Sequence, residues 1–257
     1  GSPITLNADG ISIEGFTVRN SGSWPNAGIK VYSSDNRITD NIISSNNWDG
    51  ILLYSSSNNS ITGNIISSNK YDGIYLYSSS NNRMTDNIIS NNEDGICLSS
   101  SSNNRITDND ISNHYDGIRL YSSSDNRITD NIISSNNGDG IRLSSSSNNS
   151  ITGNNISNNG YGIYLYSSSD NRITDNIISN NGDGIYLYYS SNNNSITDNN
   201  ISSNNECGIH LVNSSNNCIR NNIFINDGVV IWGDELQDWN THVIENNTVN
   251  GRPLYYF

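Results

Sequence analysis

The stretch "YDGIYLYSSSNN", Tyr71–Asn82, decides the fold, because near copies of it return along most of the 257-residue chain. Gly-Ile pairs begin at Gly10, Gly28, Gly50, Gly73, Gly95, Gly117, Gly140, Gly162, Gly184 and Gly208. From Gly28 the intervals are 22, 23, 22, 22, 23, 22, 22 and 24 residues. The extra residues fall in Ser/Asn-rich stretches, as expected where loops absorb insertions. In the unit from Gly73, Ile74 and Leu76 alternate with Tyr75 and Tyr77, a period of two that predicts a strand. "SSSNN" (Ser78–Asn82) is turn chemistry. "RMT" (Arg83–Thr85) is a second short strand, "DN" a turn and "IIS" (Ile88–Ser90) a third strand. No segment is long enough, or rich enough in helix formers, to be a helix.

Strands this short, returning every 22–24 residues, cannot pair within one unit. They pair with the same strand one unit along, at about 4.8 Å. The fold class is therefore all-β, a single-stranded parallel β-helix (β-solenoid) of about ten coils and about 50 Å in length. A leucine-rich repeat has a similar period, but its leucine signature is absent. The whole of 1–257 reads as one domain, with 1–27 an irregular first coil, 28–227 regular coils and 228–257 a cap or junction. The last segment becomes irregular after Gly228 and carries Trp232 and Trp239.

The register follows from which column ever turns polar. The first residue of each "NIIS" runs Ile42, Ile65, Ile88, Asp110, Ile132, Asn155, Ile177, Asn200; the second is always Ile, from Ile43 to Ile201. The second therefore points inward, with the Ile after Gly, the Leu two later and the Met84/Ile106/Ile128 column. Two columns are Asn in every full unit, from Asn36 to Asn217 and from Asn41 to Asn199. An amide both donates and accepts, so stacked copies form a ladder. The position before the second column alternates between Asp (Asp40, Asp86) and Gly (Gly63, Gly153), the mark of a turn with unusual backbone angles. Arg37, Arg83, Arg105, Arg127 and Arg172 stand three residues before such an Asp and predict exposed Arg–Asp pairs.

Only 33% of residues are hydrophobic and the formal net charge is −13. An acidic chain excludes nucleic acid as a partner, and no stretch has the length of a membrane span. Cys97, Cys207 and Cys218 form no disulfide framework. Cys207, His210 and Cys218 suggest a metal site, but no fourth ligand is apparent, and they read as unrelated repeat positions. No cofactor or metal is expected from this reading. Gly1-Ser2 resembles a cloning scar, and the chain reads as a piece of a larger multidomain protein.

The unit "DGIYLYSSSNNRMTDNIISNN" (Asp72–Asn92), the opening "PITLNADGISIEGFTVRNSG" and the closing "VIENNTVNGRPLYYF" resemble the NosD-like repeats. That group lies within the wider set of carbohydrate-binding proteins and sugar hydrolases. The resemblance covers nearly the whole chain. It implies a right-handed parallel β-helix, and it extends to surface proteins of methane-producing archaea. The copper delivery that names the group calls for Met, Cys and His together, whereas Met84, His114, His210 and His242 are dispersed, so no copper role carries over.

One outward face carries two columns. Two residues after Gly stand Lys30, Leu52, Tyr75, Cys97, Arg119, Arg142, Tyr164, Tyr186 and His210; four after Gly stand Tyr32, Tyr54, Tyr77, Ser99, Tyr121, Ser144, Tyr166, Tyr188 and Val212. Tyr rings offer apolar faces to sugars, and Arg clamps a carboxylate with two bonds. Tyr54, Tyr75, Tyr77, Arg119, Tyr121, Arg142, Tyr164, Tyr166, Tyr186 and Tyr188 are thus the candidate polysaccharide-binding strip of an extracellular or cell-surface module. The competing reading is a scaffold in which Tyr is simply a good half-exposed strand residue. Beside the strip, Asp49, Asp72, Asp94, Asp116, Asp139 and Asp183 each precede Gly. Calcium bridging would offset their repulsion. Asp-Gly turn formation with solvent screening is the simpler reading. A lyase or glycoside hydrolase acting on an acidic polysaccharide is the enzyme alternative, with Asp116, Arg119, Asp139 and Arg142 as its best patch.

Overall fold

In the computed structural model, which describes residues 1–256, the repeats stack into a parallel β-solenoid with three sheets. Two sheets have eleven strands and the third has twelve. The expected unit is recovered: Ile74–Tyr77, Arg83–Thr85 and Ile88–Ser90 lie on three successive sheets. Each strand pairs in parallel with its copy one coil on, as in Ile74↔Ile96 and Leu76↔Leu98.

The solenoid has eleven coils, of which nine start at a Gly-Ile pair, from Gly28 to Gly208; Gly10-Ile11 is no coil start but a turn beside Asn36, to whose Oδ1 the Ile11 N–H donates. The last coil lacks the signature because Val229–Trp232 replaces it, yet it pairs in register with Ile209–Val212. Ile4–Leu6 likewise pairs with Ile29–Val31, so the first coil also joins the sheets. After the eleventh coil, Arg252–Pro253 turns back antiparallel on Thr248–Val249. The helix Gln237–Asn240 interrupts the last coil.

The inward columns are those the polarity test selects. Ile43, Ile66, Ile89, Leu76, Met84 and their copies are fully buried, while Ile42, Ile65 and Ile88 are exposed. Burying each such side chain is worth about 1.5–3 kcal/mol. The Gly before each inward Ile is required by space. A Cβ on Gly117 would lie 2.6 Å from the Gly140 carbonyl oxygen and 2.6 Å from Ile133 Cγ2.

Buried Asn ladders close the corners. Asn87 donates both its backbone N–H (3.0 Å) and its side-chain amide (2.9 Å) to Asn109 Oδ1. The Asn109 amide in turn reaches the carbonyls of Met84 and Thr107 and the Oδ1 of Asn131. A third ladder, Asn46-Asn69-Asn92-Asn113-Asn136-Asn159-Asn181-Asn204, escaped the sequence reading. It keeps a three-residue spacing from the inward Ile except at Asn113, but its spacing to the next Gly varies. A buried Ser column, Ser56, Ser79, Ser101 and onward, lines another corner.

The turn reading of the Asp/Gly column holds: Asp40, Asp86 and Gly63 have φ of 53°, 55° and 68°. The Arg–Asp pairs do not form. Among the described residues the pairs are Arg119–Asp94, Arg142–Asp139, His210–Asp183 and Arg220–Glu245. Each Asp turns off in left-handed backbone while its Arg stays on the strand, where Arg83, Arg105 and Arg127 lie in register beside one another and Arg37 and Arg172 beside Ser.

Asn109→Ala removes two hydrogen-bond acceptances and strands buried donors on Asn87, at about 1–3 kcal/mol for each unsatisfied group. The expected loss is about 2–4 kcal/mol in urea unfolding. Asp110→Ala on the exposed neighbour should stay within about 0.5 kcal/mol. Equal effects of the two substitutions would show that the ladder contributes no more than surface polarity.

Candidate functional site: one aromatic and charged face

The predicted outward columns lie together on the sheet that begins with Ile4–Leu6. Parallel register sets each residue beside its copy: Tyr77↔Tyr54, Arg119↔Arg142, Tyr164↔Tyr186 and Tyr166↔Tyr188. Along the rod the face divides into three zones.

At the first zone the Trp24-Pro25 loop folds over the face. Lys30 Nζ donates to the Pro25 carbonyl at 2.8 Å, and Lys30 and Leu52 are buried rather than outward and free. A cleft of about 470 Å³ results, lined by Trp24, Tyr32, Trp48, Tyr54, Tyr75 and Tyr77. Tyr54 and Tyr77 stack at 5.1 Å, and Trp48 lies 3.7 Å from Tyr71. Trp24 and Trp48 were missed because they stand in turns, outside the two outward columns.

The middle zone holds the charges. Tyr121 pairs with Ser99 on one side and Ser144 on the other, so no aromatic neighbour covers its ring, and it is 54% exposed. Arg119 reaches back one coil to Asp94 at 3.4 Å; Arg142 meets Asp139 at 3.6 Å and lies 5.2 Å over the Tyr164 ring. A guanidinium has five donors, so a single contact leaves others free.

The third zone is a cluster of stacked rings. Tyr164 and Tyr186 stack at 5.4 Å, Tyr166 and Tyr188 lie 5.9 Å apart, and Tyr161 packs 5.1 Å from Tyr186. Tyr161 was missed because it occupies the Asp position before Gly. Stacking covers ring faces here, in contrast to Tyr121. Burial pushes the Tyr186 hydroxyl up to about 12, so it stays a neutral donor.

The Asp column is not screened by solvent. Asp49, Asp94, Asp116, Asp139 and Asp183 are buried. Their carboxylates accept backbone N–H bonds from the next coil: Asp72 to Asp49 (3.1 Å), Asp116 to Asp94 (2.9 Å) and Asp139 to Asp116 (2.7 Å). At Asp49, Asp116 and Asp139 desolvation prevails over the hydrogen bonding. It raises Asp49 to about 7, Asp116 to about 6 and, with repulsion from Asp116, Asp139 to about 7. Burial and neighbouring carboxylates also raise Asp72. The folded chain therefore holds protons here that an unfolded chain has released. The stability these groups lend is greatest near pH 4 and falls as pH rises through about 7. Calcium calls for six to eight oxygens converging on one point. Among the described residues the one convergent set of three metal-ligating groups is instead Asp183, Cys207 and His210. Cys218, grouped with the last two in the sequence reading, lies on another sheet beside Ser195.

A second groove, of about 380 Å³ on the neighbouring sheet, is lined by Arg83, Arg105, Arg127, Asp125 and the Asn81–Asn82 and Asn103–Asn104 turns. Its three arginines are exposed and make no carboxylate pair among the described residues. The sequence reading had assigned them to Asp86, Asp108 and Asp130, which hid this strip.

The Dettilon tailspike protein superposes with a TM-score of 0.80 at 17% identity, over 97% of this chain and 60% of that one. The A-module of the Azotobacter vinelandii mannuronan C-5 epimerase AlgE6 gives 0.71 at 15% identity, over 98% and 91%. The periplasmic alginate epimerase AlgG gives 0.70 at 21% identity, over 79% and 57%. The chain thus spans less than two thirds of the tailspike and of AlgG. At such identities the likeness carries the fold. No curated protein matches the sequence. The right handed beta helix region family matches residues 27–173 and 137–255, and the chain, with its three parallel sheets, belongs to that family.

Proposed function

We propose that this protein binds an acidic polysaccharide along the Tyr/Arg face, as part of an extracellular or cell-surface protein. The observation that carries the reading is Tyr121, a ring 54% exposed with Ser in register on both sides, on the strand of Arg119 and beside that of Arg142. A sugar ring stacks on such a face, and the guanidinium groups supply donors for a uronate carboxylate. Coils about 4.8 Å apart repeat on the scale of one sugar unit, so weak contacts add along a chain. The aromatic cleft at Trp24 and Trp48 continues the same face toward the first coil. The tailspike and the mannuronan and alginate epimerases share the fold, and one of them is periplasmic, which accords with a glycan partner outside the cytoplasm. Among the described residues no helix is long and apolar enough to cross a membrane.

The enzyme alternative keeps one favourable observation. Asp139, raised to about 7, touches Arg142 beside the strip, as a proton-transferring carboxyl would. Asp139 is itself buried, at 6% exposure, and Asp116 lies deeper still at 0%.

A glycan array with neutral and acidic polysaccharides, run with and without calcium, tests the binding reading. Tyr121→Ala should weaken acidic-glycan binding about tenfold, corresponding to about 1.4 kcal/mol. Tyr164→Ala, whose ring is already stacked on Tyr186, should cost less. Arg105→Ala, in the groove on the neighbouring sheet, should leave binding unchanged. Loss with Arg105→Ala and not with Tyr121→Ala would move the site to that groove; no binding to any glycan would leave a scaffold.

The pH dependence has a fixed sign. Below about pH 6, Asp49, Asp116 and Asp139 are protonated and the face keeps its arginine charge. Above about pH 7 they ionise and repel an anionic chain. Affinity for an acidic glycan should fall from pH 5.5 to pH 8 in isothermal titration, and Asp139→Asn should flatten the profile. A profile that rises with pH contradicts the arrangement.

A further inference from the structure

The last coils of the same face break the repeat twice in one place. Cys207 stands where most coils carry Asp, and His210 where they carry Tyr or Arg. Both departures fall on one carboxylate. The Cys207 backbone N–H donates to Asp183 Oδ1 at 2.9 Å, and His210 Nδ1 lies 3.2 Å from Asp183 Oδ2. The ligand atoms of Asp183, Cys207 and His210 lie within 4.8 Å of one another. Cys97 offers the contrast: it breaks the same outward column as His210, but among the described residues no set of three metal-ligating groups gathers around it.

We propose that Asp183, Cys207 and His210 form a three-ligand site for a divalent transition metal such as zinc, with the fourth position open to solvent. The inference goes beyond glycan binding and stands without it. One thiolate, one imidazole and one carboxylate are donors that zinc accepts together. Zinc–ligand bonds of about 2.0–2.3 Å place tetrahedral donors about 3.3–3.8 Å apart, so the set closes by small side-chain rotations. Asp183 is held from behind by its backbone contact, and Tyr186 stacks on the His210 ring at 4.8 Å and 21°. These outer contacts orient the ligands before metal arrives. Cys207 and His210 are partly exposed, which gives the metal a way in. Asp227, one coil on and packed against Gly208, adds negative charge near the thiol. On binding, the Cys207 thiol gives its proton to solvent and His210 coordinates as the neutral imidazole.

The test uses the reduced, metal-free 257-residue protein. Zinc uptake is measured by elemental analysis after gel filtration, and Co(II) is used as a spectroscopic probe. The expected result is one metal per chain and a Co(II) spectrum with tetrahedral d–d bands and a thiolate charge-transfer band. Cys207→Ser should abolish the charge-transfer band and weaken affinity at least about tenfold. His210→Ala should weaken affinity similarly, and the Cys97→Ser/Cys218→Ser double variant should behave as wild type. Circular dichroism reports that each variant keeps the fold. Substoichiometric uptake by the wild-type protein, or an octahedral Co(II) spectrum without the thiolate band, overturns the proposal without recourse to any variant. An unchanged Cys207→Ser spectrum, or loss of the band in the double variant, overturns it as well.

Discussion

The hydrogen bond from one coil to the next governs everything else in this molecule. Coils stack at a single spacing, and each strand pairs with its own copy in fixed parallel register. Every position therefore meets itself, and a residue type survives in a column only if it tolerates its own neighbour. Asn does so best, because its amide donates to one copy and accepts from the other. Ile and Leu do so by packing inward. Gly does so where the next coil's carbonyl leaves no room for a side chain.

Charge is what a self-pairing column tolerates least. The Asp column handles it in three ways: Asp49, Asp94, Asp116 and Asp183 each take a backbone N–H from the next coil, desolvation favours the protonated acid at Asp49, Asp72, Asp116 and Asp139, and two members, Asp94 and Asp139, recruit arginine. Arg119 and Arg142 thus have a structural reason to stand where they do. That reason does not use up their donors, and their exposed remainder is what gives the face its chemistry. Departures from the repeat are accordingly the informative residues. Ser99 and Ser144 free the ring of Tyr121, and Cys207 and His210 replace Asp and Tyr beside Asp183.

The fold was legible because period, alternation and the polarity of a single column all agree. The spacing of Gly-Ile pairs gives the coil, and the contrast between the Ile42 and Ile43 columns gives the inward face. Part of what escaped shares a cause: many contacts here run at a distance of one period rather than within one turn. Arg83 was assigned to Asp86, three along, while its neighbour is Arg105. Cys207 was grouped with Cys218, eleven residues later, while its partner is Asp183, one coil back. The third Asn ladder was lost because its spacing from Gly varies, although its spacing from the inward Ile is constant save at Asn113. The burial of the Asp column, and of Lys30 and Leu52 under the Trp24-Pro25 loop, depends on neighbouring turns that no local pattern encodes.

The central functional claim is a claim about place: an acidic glycan lies along the Tyr/Arg face and crosses Tyr121. A crystal structure with a uronate oligosaccharide tests it most directly. The account predicts a sugar ring stacked on Tyr121 with a carboxylate at Arg119 or Arg142, and the chain running parallel to the solenoid axis. An oligosaccharide seated instead along Arg83, Arg105 and Arg127 would contradict it.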